Sequence, residues 1–536
     1  RALPLLRLLP SLFLSVLLSI IDCDFRKEEK GIYRSQSITG YSMQPPPSHA
    51  RRFQDWTNKH IFAGSIDNFG EHPNDAWDTG YQAPDYQNQT IASNTNYNGG
   101  GGDPSPPRPS PPKERPDETT KLNGTNEEVE ADAHVGNEPI TALQAAWNVT
   151  NAIQGMFIVG LPIAVKVGGW WSVGAMVGVA YICYWTGVLL IECLYDKGEK
   201  IRFSYRDVAE AYHPGFGKVV LAAQLTELLS TCIIYLVLAG DLLQACFPSI
   251  DKPAWMMLVS SILLGCSFLD SLQVVSNLSL ANAVSHLIVN AIMMIYCLSQ
   301  ISSWSLSSVT FGLDFYTLPT MIGVVVFGYT SHIFLPSLEG NMKEPKQFNS
   351  MLKWSHVAAA AFKAIFGLMG YLTFGEFTQQ EISNSLPNQG FKILINLVLV
   401  VKALLSYPLP FFAAVHIIRD NFFKGTKKTM FTGCYSLDGS LREWALFLRI
   451  LLILFTLFVA LSVPYLIEVM GLIGNITGTM LSFIWPALFH LKLKSAGMVD
   501  RDRKFDQFII GLGSAICISG FYFSAKQLQL AIQHTD

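Results

Sequence analysis

The chain has 536 residues, of which 50% are hydrophobic and only 15% charged, and its mean hydropathy is +0.30. A net charge of −3 gives no reason to expect a nucleic-acid partner. The nine cysteines are scattered, with no CxxC pair and no Cys/His spacing of the metal-binding kind, which excludes a zinc module or a disulfide framework.

Residues 1–21, RALPLLRLLPSLFLSVLLSII, combine a basic start with an apolar run. They read as a signal-like segment, or as a poor membrane span interrupted by Pro10. The chain opens on Arg1 rather than Met, so the expectation is that this is not the protein's own start. Residues 22–139 are polar and rich in Asn, Gly, Pro and Asp, with Gly99–Gly102 followed by DPSPPRPSPPKERPDE from Asp103. Such a stretch buries too little apolar surface to offset its chain entropy, so it is expected to be a disordered tail. Its Pro-rich part is either a spacer or an extended polyproline ligand for an SH3-type partner. The acidic run Glu127–Asp132 is either solvated or part of a sorting signal.

From Thr141 the apolar blocks approach the length of about 20 residues that a helix needs to cross a bilayer. Eleven spans are expected: 141–167, 169–194, 218–246, 254–269, 278–301, 318–340, 354–374, 391–418, 442–463, 465–490 and 506–532. This is an all-α polytopic membrane protein, with the transmembrane domain at 140–536 and the lipid bilayer as its surroundings. Alternate loops carry the Lys and Arg residues, for example Lys197 to Arg206, Lys343 to Lys353 and Lys492 to Lys504, against Lys166 and Lys252 on the other side. The positive-inside rule then puts the tail in the cytosol and the C-terminus in the lumen or outside. Signal cleavage near residue 21 would contradict that orientation, and a cytosolic tail leaves the sequons at Asn88 and Asn123 unglycosylated.

Two spans are broken by polar and helix-breaking residues. The first reads NVTNAIQGMFIVGLP, Asn148 to Pro162; the sixth reads MIGVVVFGYTSHIFLPSLEGNM, Met321 to Met342. In both, Leu-Pro follows the interruption, and Pro suits the first turn of a new helix because its missing N–H would be unpaired there. A single such segment reads equally as a packing kink. Two in matching places of two halves point to the binding site of a secondary transporter. The candidate substrate contacts are Thr150, Asn151, Gln154, Gly155 and Phe157 in the first break, and Phe327, Tyr329, Thr330 and Ser331 in the sixth.

Three charges fall near the bilayer midplane. Glu227 in the third span and Lys363 in the seventh lie about 14 Å deep, and Lys402 in the eighth about 16 Å, at 1.5 Å per residue. Intramembrane charges mark ion or substrate pathways, with a structural ion pair as the alternative. Two cations at one depth make a carboxylate partner attractive, either Glu227 or the substrate. His332, in the sixth break, reads as a pH-responsive group or as a neutral polar filler.

The segments EPITALQAAWNVTNAIQGMFIVGLP, YTSHIFLPSLEGNM and KALLSYPLPFFAAV (Lys402 to Val415) resemble the amino acid/auxin permease family, and the likeness runs from Glu138 to the last span. The resemblance implies two inverted five-helix repeats, with the first and sixth helices unwound, and one extra helix. It implies uptake of GABA and glycine into synaptic vesicles, driven by the gradient of the vesicular proton pump, with no cofactor and with chloride co-entry left open. The chain departs from the family pattern at Gly328, where relatives carry Ser, at His332, where they carry Gln, and at Val167, where they carry His. Half-helix N-termini near Gly155–Gly160 and His332–Leu335 suit a substrate carboxylate, since their N–H groups are unpaired and the helix dipole is positive there. Glu227 is the first candidate for a proton carrier, and Lys402 is expected where sodium-coupled relatives hold a cation. The alternatives are a lysosomal or plasma-membrane neutral amino acid permease, and an amino-acid-sensing transceptor. HExxH, GxSxG and phosphate-loop motifs are absent, which argues against an enzyme.

Overall fold

A computed structural model describes residues 140–265, 272–312, 314–422 and 443–535. The expected signal-like start and tail, residues 1–139, lie outside the described residues. Thr141 and Gln144 open the first helix with a reciprocal cap: each side chain accepts a hydrogen bond from the other residue's backbone N–H. That helix, α1 (Ala142–Ile153), is followed by a 3-10 turn at Met156–Gly160 and then by α2 (Leu161–Glu192).

α2 contains the rest of the first span and all of the second. The two are separated at Gly169, whose φ of 53° lies in the region that glycine alone enters freely. A Cβ there would stand 2.0 Å from the Thr310 carbonyl, which already accepts the Trp170 N–H at 3.1 Å. A two-stranded hairpin (Tyr195–Asp196 with Glu199–Lys200) and the short helix α3 (Tyr205–Tyr212) lead to α4 (Phe216–Cys246), which is apolar on every side and correspondingly enclosed. Then come α5 (Lys252–Leu263), α6 (Leu272–Ser299), α7 (Leu318–Phe327), α8 (Leu335–Gly340), α9 (Phe348–Phe374), α10 (Gln389–Ser406), α11 (Pro408–Phe422) and α12 (Glu443–Ser462). α13 (Leu466–Ile473) continues through π-helical turns at Gly474–Gly478 and Met480–Ile484 into α14 (Trp485–Leu493), and α15 (Asp500–Thr535) ends the described chain.

Every expected span thus has a helical counterpart, and among the described residues six helices are long and apolar enough to cross a membrane by themselves. For three of the remaining spans the cause is local. The Gly169 kink merges two spans into one helix, the sixth span is divided into α7 and α8, and the fourth is only 12 residues long.

Packing follows the repeat. α2 lies along α9 and α4 along α10, pairing second with seventh and third with eighth, as elements related by an internal twofold do. The outer faces carry large apolar side chains, among them Ile262, Ile295, Leu394, Phe458 and Ile518, each more than half exposed. In water such a belt would be an association hazard; in a bilayer it is the lipid-facing surface.

Candidate substrate site

Both breaks form where the sequence stops supporting a helix. α1 ends as the Gln154 N–H donates to Thr150 O at 2.8 Å, and the chain leaves the helix at Gly155, whose φ and ψ are −36° and −177°. α7 ends at Phe327. Tyr329 N–H and Thr330 N–H then donate to Val326 O and Phe327 O at 2.9 and 3.3 Å, which turns the chain before Leu335 and Pro336 restart it. The breaks meet directly: the Phe157 ring packs edge-on to Phe327, with centroids 4.9 Å apart, and stacks on Tyr235 at 5.3 Å.

Between them lies a cavity of about 90 Å³. Gln154, Gly155 and Phe157 line it from the first break, Phe327 and Thr330 from the sixth, Glu227 from α4 and Lys402 from α10. Its volume is far below the roughly 300 Å³ at which drug-sized pockets begin, so it suits a small metabolite. Tyr235, His286 and Ser406 also line it and were not anticipated from the sequence.

The other expected residues stand elsewhere. Thr150 is half-buried on α1 and does not line the cavity, and the side chain of Asn151 lies outside what is described. Tyr329 is fully buried behind the break, under the Lys363 ammonium (3.6 Å to the ring centroid) and stacked near His356. Ser331 is buried without lining the cavity. The Nε2 of His332 is 3.0 Å from the Thr186 hydroxyl, which itself donates to Ser482 O at 2.6 Å. With that hydroxyl proton committed, Nε2 is the donor, so His332 braces the sixth break against α2 and the π-helical turn.

Of the two carboxylate partners considered for the lysines, Glu227 and the substrate, Glu227 is hydrogen-bonded to neither lysine in this structure. The Glu227 carboxylate accepts from the Thr477 hydroxyl, brought in by the first π-helical turn. Lys363 Nζ donates to Gly328 O at 2.5 Å, at the C-terminal end of α7, where helix carbonyls carry partial negative charge. Lys402 donates to Nδ1 of His286 on α6. An ammonium has only donors, so His286 must be the acceptor in that contact. The cavity wall therefore presents one carboxyl and one ammonium that are not paired with each other, as a dipolar ligand requires.

A helical bundle with a lipid-facing exterior and a small, mixed polar and apolar cavity between two broken helices has the architecture of a membrane transporter. Residues 138–526 match the family described as "Transmembrane amino acid transporter protein", and the chain belongs to that family. It is 64% identical over 490 residues to the "Vesicular GABA transporter" of Caenorhabditis elegans, covering 91% of this chain and 99% of that protein. It is 39% identical over 466 residues to the "Vesicular inhibitory amino acid transporter" of Homo sapiens, covering 84% and 85%. A solved structure titled "Inward facing conformation of Mhp1" aligns at 10% identity with a TM-score of 0.43, covering 75% of this chain and 94% of that one.

Proposed function

We propose that the protein carries GABA and glycine into synaptic vesicles by alternating access, in exchange for protons supplied by the vesicular proton pump. The observation that carries this reading is the cavity between the two breaks, with Glu227 and Lys402 on its wall. A zwitterionic amino acid has an ammonium for the first and a carboxylate for the second, and its two charges sit at opposite ends. The similarity to proteins named as vesicular GABA and inhibitory amino acid transporters supports the substrate class and the compartment. In this reading the tail faces the cytosol and the C-terminus the lumen, no cofactor is needed, and Phe157, Phe327 and Tyr235 exclude water around the bound substrate.

The driving force is adequate. One charge moved through 100 mV is worth about 2.3 kcal/mol. One pH unit is worth about 1.4 kcal/mol. Together these hold a gradient of a neutral zwitterion of roughly several hundredfold for each proton exchanged. Labelled GABA is expected to accumulate in proteoliposomes containing only this protein when the interior is made acidic and positive, and glycine but not glutamate is expected to compete. Accumulation of other neutral amino acids instead would favour a general permease. Binding without accumulation would favour a transceptor.

A further inference from the structure

A second polar cavity, of about 290 Å³, opens at the end of the bundle that the Lys and Arg pattern assigns to the lumen. Its wall is formed by Asp241, Gln244, Gln379, Gln380, Glu381 and Asn384, with Ala245 as the one apolar contributor. Glu381 is 4% exposed, and its Oε1 has no hydrogen-bond partner. The other oxygen accepts from Asn384 Nδ2 at 2.9 Å, and Asn384 is held in turn by Asn396 of α10 at 2.7 Å. Asp241 also has one buried oxygen without a partner; its other oxygen pairs with Lys252 Nζ at 2.5 Å. Lys252 also donates to Pro464 O at 2.7 Å, and Glu381 Oε1 takes no hydrogen bond from it.

The charged groups converging here are Asp241 of α4, Lys252 of α5, Glu468 of α13 and Glu381 of the loop; α10 contributes only the neutral Asn396. Three carboxyls thus face a single ammonium. A buried carboxylate oxygen without a donor is costly, and protonation removes both the charge and the unmet acceptor. Among the described residues no group of three or more His, Cys, Asp or Glu side chains is placed to hold a metal ion.

The loop bearing Glu381 also packs against the first break. Its Ile382 is 1% exposed, and a Cβ placed on Gly370 would meet both Ile382 and Pro162 of the first break, at 2.6 and 2.5 Å. A Cβ on Gly160, in the same break, would lie 3.6 Å from Gln380 O.

We infer that Glu381, together with Asp241, forms a second proton-binding site at this mouth, occupied while the loop around residues 378–385 is closed over the first break. Burial first, and then the Asp241 charge, push the Glu381 carboxyl up to about 8 in the closed loop, against the partial offsets of Lys252 and Asn384. In an open loop the carboxyl returns towards the ordinary value of 4.5. The raised value belongs to the closed form, so closure is favoured at low pH and weakens as pH rises between about 4.5 and 8, by at most about tenfold per pH unit. This inference depends neither on the substrate nor on proton exchange, and its test needs no transport.

Ser383 is fully buried in the closed loop, whereas Phe377, on the same loop, is 82% exposed. The rate at which a membrane-impermeant thiol reagent labels Ser383→Cys in lipid nanodiscs, relative to Phe377→Cys and after subtracting native-cysteine background, is expected to rise between about tenfold and a hundredfold from pH 5.5 to 7.5. Adding Glu381→Gln, which keeps the shape of the protonated acid, is expected to leave the ratio low and flat. A ratio independent of pH in the parent, or a pH dependence that survives Glu381→Gln, overturns the inference. If Ser383→Cys does not fold, backbone hydrogen exchange over 378–388 in the unmodified chain, corrected for the intrinsic pH effect, decides in the same way. Faster exchange at pH 7.5 that Glu381→Gln abolishes supports the site, and equal exchange refutes it.

Discussion

Replacing Glu227 by Gln is expected to abolish accumulation driven by a pH gradient while one-for-one substrate exchange survives at lower apparent affinity, because the substrate ammonium loses a charged partner. The carboxyl is 4% exposed, lines the cavity and takes its hydrogen bond from Thr477 on the tenth span rather than from a fixed cation. A carboxyl bonded only by hydroxyls can exist with or without its proton, whereas one locked to a lysine would stay ionised. The amide fills the same space and bonds Thr477 but carries no exchangeable charge. Under a gradient of one pH unit, the roughly tenfold accumulation which that unit supports should vanish. Exchange of labelled for unlabelled substrate, which needs no net proton movement, reports whether the cavity is still intact. Unchanged pH-driven accumulation in Glu227→Gln would remove this residue from the coupling step.

Gly474→Val is expected to prevent stable assembly of the bundle. The first π-helical turn meets α7 backbone to backbone: a Cβ at Gly474 would lie 1.9 Å from Gly323 O and 2.9 Å from the Phe327 Cβ. The contact is reciprocal, since a Cβ at Gly323 would lie 2.2 Å from Gly471 O. Backbone carbonyls cannot rotate away as a side chain can, so the helices must separate, at a cost of about 3 kcal/mol or more. Separation would also move Phe327, which closes the cavity, and Thr477, which holds Glu227. Gly174→Ala is the comparison, because a Cβ there meets nothing within 4 Å. Thermal melting of the purified proteins should show Gly474→Val destabilised or aggregated and Gly174→Ala at least as stable as the parent. A Gly474→Val protein that melts with the parent would show that this close approach is not required.

The architecture and the two breaks were legible because their signals are local. Leu161-Pro162 and Leu335-Pro336 restart helices after polar interruptions, and the chain begins α2 and α8 there. Depth along a span was also legible, and it picked out Glu227 and Lys402, both of which reach the cavity. Direction around the helix was not. α4 is apolar on nearly every face, so no stripe says which way Glu227 points. For that reason one shared depth left the lysines' partner open between Glu227 and the substrate, whereas Lys363 turns to a helix end and Lys402 to His286. His286 itself carried a usable signal, as a histidine inside an expected span. Tyr235 did not, because an aromatic among apolar residues looks like core. The role of Thr477 depends on a π-helical turn that shifts its azimuth, and helical periodicity cannot anticipate such a turn.

The central claim is that the space between the two breaks holds the transported amino acid. Thr330 lines that space and is partly accessible, so Thr330→Cys places a thiol on its wall. Its rate of modification by a small thiol reagent should be measured in proteoliposomes with and without GABA, beside Phe377→Cys as an exposed reference. GABA and glycine are expected to slow modification at residue 330, in proportion to their apparent affinities in uptake, while glutamate does not, and residue 377 should react at the same rate throughout. Uptake of GABA by a protein whose residue 330 thiol is modified equally fast with and without substrate would contradict the account and place the substrate elsewhere.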